Sequence, residues 1–109
     1  MIATEDHDEA FEVLHTTGTS QAAMMTLDPG EASSGRVGNE HAWAEQWVYV
    51  ISGQGEALCK KRRLKLRAGS LLLVERGEQH QIRNTGKTPL VTLDVYVPPA
   101  YDDDGEPLY

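Results

Sequence analysis

Residues 69–84 read GSLLLVERGEQHQIRN, and this stretch decides the fold. A strand-like run at 70–75, apolar over 71–74, meets a turn at Arg76-Gly77, after which a second strand-like run extends over 80–84. Gly77 stands where the chain must reverse sharply, and a residue without Cβ can take the positive φ such a reversal needs. Outward from there, the same punctuation recurs at Asp28-Pro29-Gly30, Ser33-Ser34-Gly35, Gly38, Ser52-Gly53-Gln54-Gly55, Ala68-Gly69, Asn84-Thr85-Gly86 and Pro98-Pro99. Between these signals lie short runs rich in apolar and β-branched residues. They predict strands over 11–17, 21–27, 46–51, 56–60, 63–66, 70–75, 80–84 and 90–97. No helical periodicity competes, and only the acidic first ten residues leave room for a helical turn. Short strands with tight turns between them predict an all-β sandwich or barrel.

The strand over 46–51 adds a constraint. A period of two puts Gln46, Val48 and Val50 on one face and Trp47, Tyr49 and Ile51 on the other. Both faces are apolar, and a small barrel covers only its inner one. The aromatic face therefore packs against a second sheet or a second subunit, or lies under the N-terminal strand or C-terminal tail; the subunit alternative is a homodimer. On the strand over 90–97, Thr92, Asp94 and Tyr96 form a polar row opposite Val91, Leu93, Val95 and Val97. Facing solvent, that row is unremarkable, which is the plainer reading. Facing the barrel mouth, it would offer Asp94 or Tyr96 as an acid, base or ligand anchor.

At 109 residues the chain fits one domain, and 39% hydrophobic with 25% charged residues is ordinary globular composition. It divides into an acidic leader at 1–10, a barrel at 11–99 and an acidic tail at 100–109, where Asp102-Asp103-Asp104 reads as a solvated end. The first ten residues hold no basic residue and no apolar run, so no targeting segment is expected there. The longest apolar stretch, 71–74, is far short of the roughly 20 residues of a membrane helix, so no membrane contact and a cytoplasmic home are expected. Cys59 is the single cysteine, which excludes an intrachain disulfide and a cysteine-rich zinc site and suits a reducing compartment. It reads as a small apolar filler.

A net charge of −7 argues against a nucleic-acid partner, whose phosphates need surplus Lys and Arg. One segment runs the other way, with six basic residues in the eight positions from Lys60 to Arg67. From Arg63 onward, however, charged and apolar residues alternate, and the segment reads as a solvated hairpin.

Of the four histidines, His7 in the leader and His15 in the first strand lack ligand-type neighbours at useful spacing. His41 and His80 each lie beside a glycine-marked turn where a strand begins, and barrel mouths are where polar groups converge on ligands. Gly69, Gly77, His80 and Asn84 fall at the spacings of the second sequence motif of the cupins, with Glu75 at its proline position. Anchored on Gly53, the first cupin motif places Gln46 at its glutamate, His41 at its second histidine and Asn39 at its first. Its leading glycine would be Gly30, with eight residues before Asn39 instead of five. Over 30–99 the chain thus resembles a small single-domain cupin.

The resemblance implies a double-stranded β-helix, that is, a jelly-roll β-barrel. It also implies a mouth site for a divalent transition metal (Mn, Fe, Ni, Cu or Zn) held by His41, Gln46, His80 and Asn39, or no metal at all. Relatives carry three histidines and a carboxylate. Here two positions are amides, which are weaker, neutral ligands. Glu40, in a loop, or Glu45, if a bulge turns it inward, could restore the carboxylate; on a regular strand Glu45 points away when Gln46 points in. The implied function is a metal-dependent oxygenase, isomerase or decarboxylase acting on a small organic substrate. The alternatives are a metal-free module binding a sugar or organic acid, and a barrel working only through its Trp47/Tyr49 face. Met24 and Met25 read as core and pocket lining. The sequence shows no dedicated nucleophile, phosphate loop or nucleotide fingerprint.

Overall fold

The computed structural model describes residues 1–4, 10–34, 38–39, 41–59 and 62–109. Eight strands follow one another: β1 (Phe11–Thr16), β2 (Gln21–Leu27), β3 (Glu45–Ser52), β4 (Gln54–Cys59), β5 (Arg63–Arg67), β6 (Leu71–Val74), β7 (His80–Asn84) and β8 (Leu90–Val97). They match the sequence expectation strand for strand, with ends shifted by a residue or two. All pairings are antiparallel, in one sheet ordered β1-β2-β8-β3-β6 and another ordered β5-β4-β7. No helix among the described residues is long and apolar enough to cross a membrane.

The two sheets close on each other because each has one apolar face. Met25, Leu27, Val48, Val50 and Leu90 from the larger sheet meet Ala57, Leu66 and Ile82 from the smaller in one buried cluster. Fully burying a side chain such as Ile82 or Leu90 stabilises the fold by about 1.5–3 kcal/mol. A second cluster lies towards one end of the barrel, where Ala23, Ala44, Tyr96, Ala100 and Tyr101 pack with Phe11, Val13 and Trp43.

Turn chemistry fixes the strand register. Gly77 takes φ +76° in the turn before β7, the conformation its position requires. Gly53, at the β3–β4 reversal, has φ +92°, and a Cβ there would collide with the Pro89 carbonyl oxygen. Asn84 ends β7 by donating to the carbonyls of Leu27 (2.9 Å) and Thr88 (2.8 Å) while accepting from the Gly86 N–H (2.8 Å). One side chain thus ties β7, β2 and the following turn together.

Two expectations about facing are corrected. The polar row of β8 points inward, with Thr92, Asp94 and Tyr96 all buried. Strand β8 lies between β2 and β3, where Thr92 is in register with Met25 and Val50, and Asp94 with Ala23 and Val48. That register commits the polar row to the barrel and leaves Val91, Leu93, Val95 and Val97 half-buried outside. Met24, one position out of phase with Met25, is buried on the outer side of β2 rather than lining the pocket. The outer aromatic face is covered by neither β1 nor the tail. Trp47, Tyr49 and Ile51 are exposed, and so are their β6 neighbours Leu73 and Leu71, the latter at 63%.

The basic segment forms the β4–β5 hairpin and the exposed strand β5, with Lys60 and Lys61 outside the described residues. Glu56 in its midst receives Arg63 at 3.5 Å and Arg83 at 3.2 Å, surface contacts of small energetic weight. His7 also lies outside the described residues, and His15 is half-buried and bonded to the Thr4 hydroxyl. Cys59 is a free, partly buried thiol donating to the Arg62 carbonyl.

Candidate functional site

His41 sits in the turn that leads into β3 and is only 2% exposed. Its N–H donates to Asn39 Oδ1 (2.8 Å), and Asn39 Nδ2 donates to the Glu78 carbonyl (3.0 Å). The amide of Asn39 therefore stitches two loops together. This sets Asn39 apart from the other three expected ligands, since both ends of its amide are engaged with backbone. His80 opens β7 and is held by reciprocal backbone bonds with Gly38, at 2.7 and 3.1 Å. Its Nδ1 lies 3.1 Å from the Glu78 carbonyl. A carbonyl can only accept, so that contact puts the proton on Nδ1 and the neutral ring's lone pair on Nε2.

These anchors bring the two imidazoles together, with ring centroids 5.1 Å apart and planes inclined at 52°. Gln46 reaches the same place from β3, where it pairs in register with Tyr96 of β8. Its Nε2 donates to the Tyr96 hydroxyl (3.2 Å), and its buried Oε1 has no hydrogen-bond partner among the described residues. The Tyr96 ring packs edge-on against His41 at 5.1 Å. His41, Gln46, His80 and Tyr96 line a cavity of about 620 Å³, together with Asn39 and Met25.

Glu45 is on the opposite face of β3 from Gln46, where it accepts from the Trp47 indole at 3.5 Å. Glu40 lies outside the described residues. The described cavity lining contains one carboxylate, Glu31, whose Oε1 accepts from the Asp28 N–H in a turn. Among the described residues no three of His, Cys, Asp and Glu converge as metal ligands. Among the described residues, the candidate ligands that come together are two imidazoles and one neutral amide oxygen. That set lacks the anionic ligand that would offset a divalent charge, and it fits a tightly held resident ion poorly.

Sequence reasoning missed Tyr101 and Phe11. Both line the cavity, and the Tyr101 ring stands 5.1 Å from Tyr96 and 6.2 Å from His41. No motif marks either residue, because each reaches the site through chain segments remote from His41 and His80. The tail, expected as a solvated end, is instead folded against the barrel, with Ala100 and Tyr101 buried.

Two register positions from the Gln46–Tyr96 pair, opposite Val48, the Asp94 carboxyl is wholly buried. Burial raises its pKa from 3.8 to about 7, against the opposing effect of the Thr92 hydroxyl, which donates to Oδ1 at 2.9 Å. The neutral acid is thus favoured inside the barrel.

A family model described as the cupin domain matches residues 23–96. Among curated proteins, the oxalate-binding protein of Thermotoga maritima is 32% identical over 76 residues, covering 69% of this chain and 60% of that protein. The alginate biosynthesis protein AlgA of Pseudomonas putida is 28% identical over 86 residues, covering 79% of this chain and 17% of that protein. The chain therefore spans only part of either relative. A solved structure from Bacillus halodurans superposes with a TM-score of 0.78 at 23% identity, covering 85% of this chain and 73% of that one, a likeness of fold.

The buried acid makes a prediction about stability. The folded carboxyl keeps its proton up to about pH 7, whereas the unfolded one releases it near 3.8. Stability contributed by Asp94 is therefore complete below the unfolded value and is lost as pH rises through about 7. Asp94→Asn removes this titration. Urea midpoints measured across that range are expected to fall less steeply with pH in the variant than in the wild type; parallel curves would contradict the assignment.

Proposed function

The chain belongs to the cupin family, and on that footing we propose that its barrel mouth binds a small organic acid through the imidazoles of His41 and His80. The observation that carries this reading is the imidazole pair, 5.1 Å apart, in a cavity whose described lining holds no carboxylate but Glu31. Two neutral imidazoles can take up a proton when an anion arrives, and a buried site strengthens the resulting attraction. Gln46 suits the same chemistry. Turning its amide over would let Oε1 accept from Tyr96 and present the NH₂ to a ligand oxygen, which a glutamate could not do. The relative named for oxalate binding supports the same class of ligand. No residue is assigned a catalytic step, and the activity is binding.

A second reading is a weakly held divalent transition metal serving an oxygenase or isomerase. It is favoured by Gln46 Oε1, a buried acceptor without a partner among the described residues, beside two imidazoles. Gln46→Glu separates the two readings, because it adds a fixed negative charge. Oxalate titrated into untagged wild-type protein by calorimetry should bind saturably, and Gln46→Glu and His80→Ala should each weaken it about tenfold or more, roughly 1.4 kcal/mol. Elemental analysis of the same wild-type sample should find metal well below one ion per chain. Stoichiometric metal, or oxalate binding indifferent to Gln46→Glu, would overturn the organic-acid reading in favour of the metal.

We also propose a homodimer in a reducing cytoplasm, where the single thiol Cys59 stays free. The apolar patch of Trp47, Tyr49, Ile51, Leu71 and Leu73, bordered by the Glu45 carboxylate beside Trp47, supports a second copy as the occupant. On a chain of net charge −7, five exposed apolar side chains on one sheet face are where two copies meet with little repulsion, and a two-fold axis sets the patch against itself. Light scattering should report a dimer for the wild type and a monomer for Tyr49→Glu, which sets like charges face to face. A monomeric wild type at working concentrations would remove the proposal.

A further inference from the structure

The cavity has walls that the family match does not contain. Phe11 of β1, and Tyr101 and Gly105 of the tail, line it from outside residues 23–96. After Pro98-Pro99 the tail doubles back on itself, with a bridge between Tyr101 and Pro107 and a bond from the Leu108 N–H to the Ala100 carbonyl (2.9 Å). The Asp102 side chain closes the bend by accepting from the N–H groups of Asp104 (2.9 Å) and Glu106 (3.0 Å). At the tip, Gly105 has φ +83°, and an added Cβ would lie 3.2 Å from the Phe11 ring. These acidic residues, solvated by composition, are here the parts of a turn.

The hairpin is fastened by one buried amide. Gln21 Oε1 accepts from the N–H groups of Ala100 (3.2 Å) and Tyr101 (3.0 Å), and its Nε2 donates to the Tyr101 carbonyl (2.7 Å). A side chain thereby pairs with the tail backbone as a neighbouring strand would. The Trp43 indole adds a bond to the Pro99 carbonyl (3.1 Å), and its ring meets Tyr109 edge-on at 5.0 Å. So held, the Tyr101 ring packs edge-on against Phe11 (4.9 Å) and Tyr96 (5.1 Å) and is only 5% exposed.

We propose that this C-terminal hairpin is the selecting wall of the site: it screens His41 from solvent, and Tyr101 limits the size of ligand that fits. The size-limiting half rests on the organic-acid reading above; the screening half stands without it. Tyr101 acts here as a specificity residue, positioned by Gln21.

The test uses the full chain carrying Tyr101→Ala, and a second full-length variant, Gln21→Ala, which loosens the clasp and leaves the Tyr101 ring intact. Diethylpyrocarbonate labelling of His41, read by peptide mass spectrometry and normalised to His15, reports access to the site without any ligand. Calorimetry with oxalate, succinate and adipate reports the size limit. Labelling of His41 should be about tenfold faster in Tyr101→Ala and intermediate in Gln21→Ala, and the longest acid bound should lengthen in Tyr101→Ala. Unchanged labelling in whichever variants fold overturns the wall, whatever the wild type binds. An unchanged size limit in a Tyr101→Ala protein that still binds oxalate overturns the specificity role and leaves the organic-acid reading standing. If the wild type binds none of the three acids, the organic-acid reading fails along with the size limit drawn from it, and labelling alone decides the screening role.

Discussion

Everything at the mouth depends on the pairing of β3 with β8. Gln46 lies opposite Tyr96, Val48 opposite Asp94 and Val50 opposite Thr92, so one register sets Gln46 and Tyr96 in the cavity lining, the buried Asp94 and the core residues Val48 and Val50. A slip of one residue would turn Trp47, Tyr49 and Ile51 inward and send Gln46 outside. The turns guard against that slip. Gly53 reverses the chain in a conformation that other residues rarely adopt, and Asn84 pins the far sheet to the end of β2. The site is therefore a consequence of strand phase, with His80 at the start of β7 and His41 added by the turn before β3.

The barrel interior is kept nearly free of fixed charge, and this shapes the chemistry. Burial raises the Asp94 pKa to about 7, Gln46 stands where the family motif carries an acid, and Glu45 is turned to the outer face. The two imidazoles of His41 and His80 add groups that can carry a positive charge, beside an Asp94 carboxyl whose pKa burial raises to about 7. A site built this way has little with which to balance a bound cation. It has what an anion needs, namely donors, and a place to store the proton that comes with it.

The physical signals in the chain were uneven. Glycine at positive φ and the alternation of 46–51 are local constraints, and they made the strands and the inward Gln46 readable. The turn before His80 was readable for the same reason, since the bond from the Glu78 N–H to the Glu75 carbonyl lies within one strand–turn–strand unit. The phase of β8 was not readable, because both its rows are chemically acceptable and only its neighbours β2 and β3 decide between them. Asn39 was marked by spacing alone, but a loop has no fixed phase, and the bonds of its amide to the Glu78 carbonyl and the His41 N–H are announced by no local pattern. The tail was the largest surprise. Its composition is that of a solvated end, and its order comes from Gln21, about 80 residues earlier, a contact invisible to any local pattern.

The central claim, that His41 and His80 form an anion-binding pair, is tested most directly by following the imidazole proton signals of both residues by NMR across pH, with and without saturating oxalate. The account predicts that both protonation midpoints move to higher pH when oxalate is present, because each bound anion favours the charged ring. Midpoints that stay in place, or that move to lower pH, would contradict it.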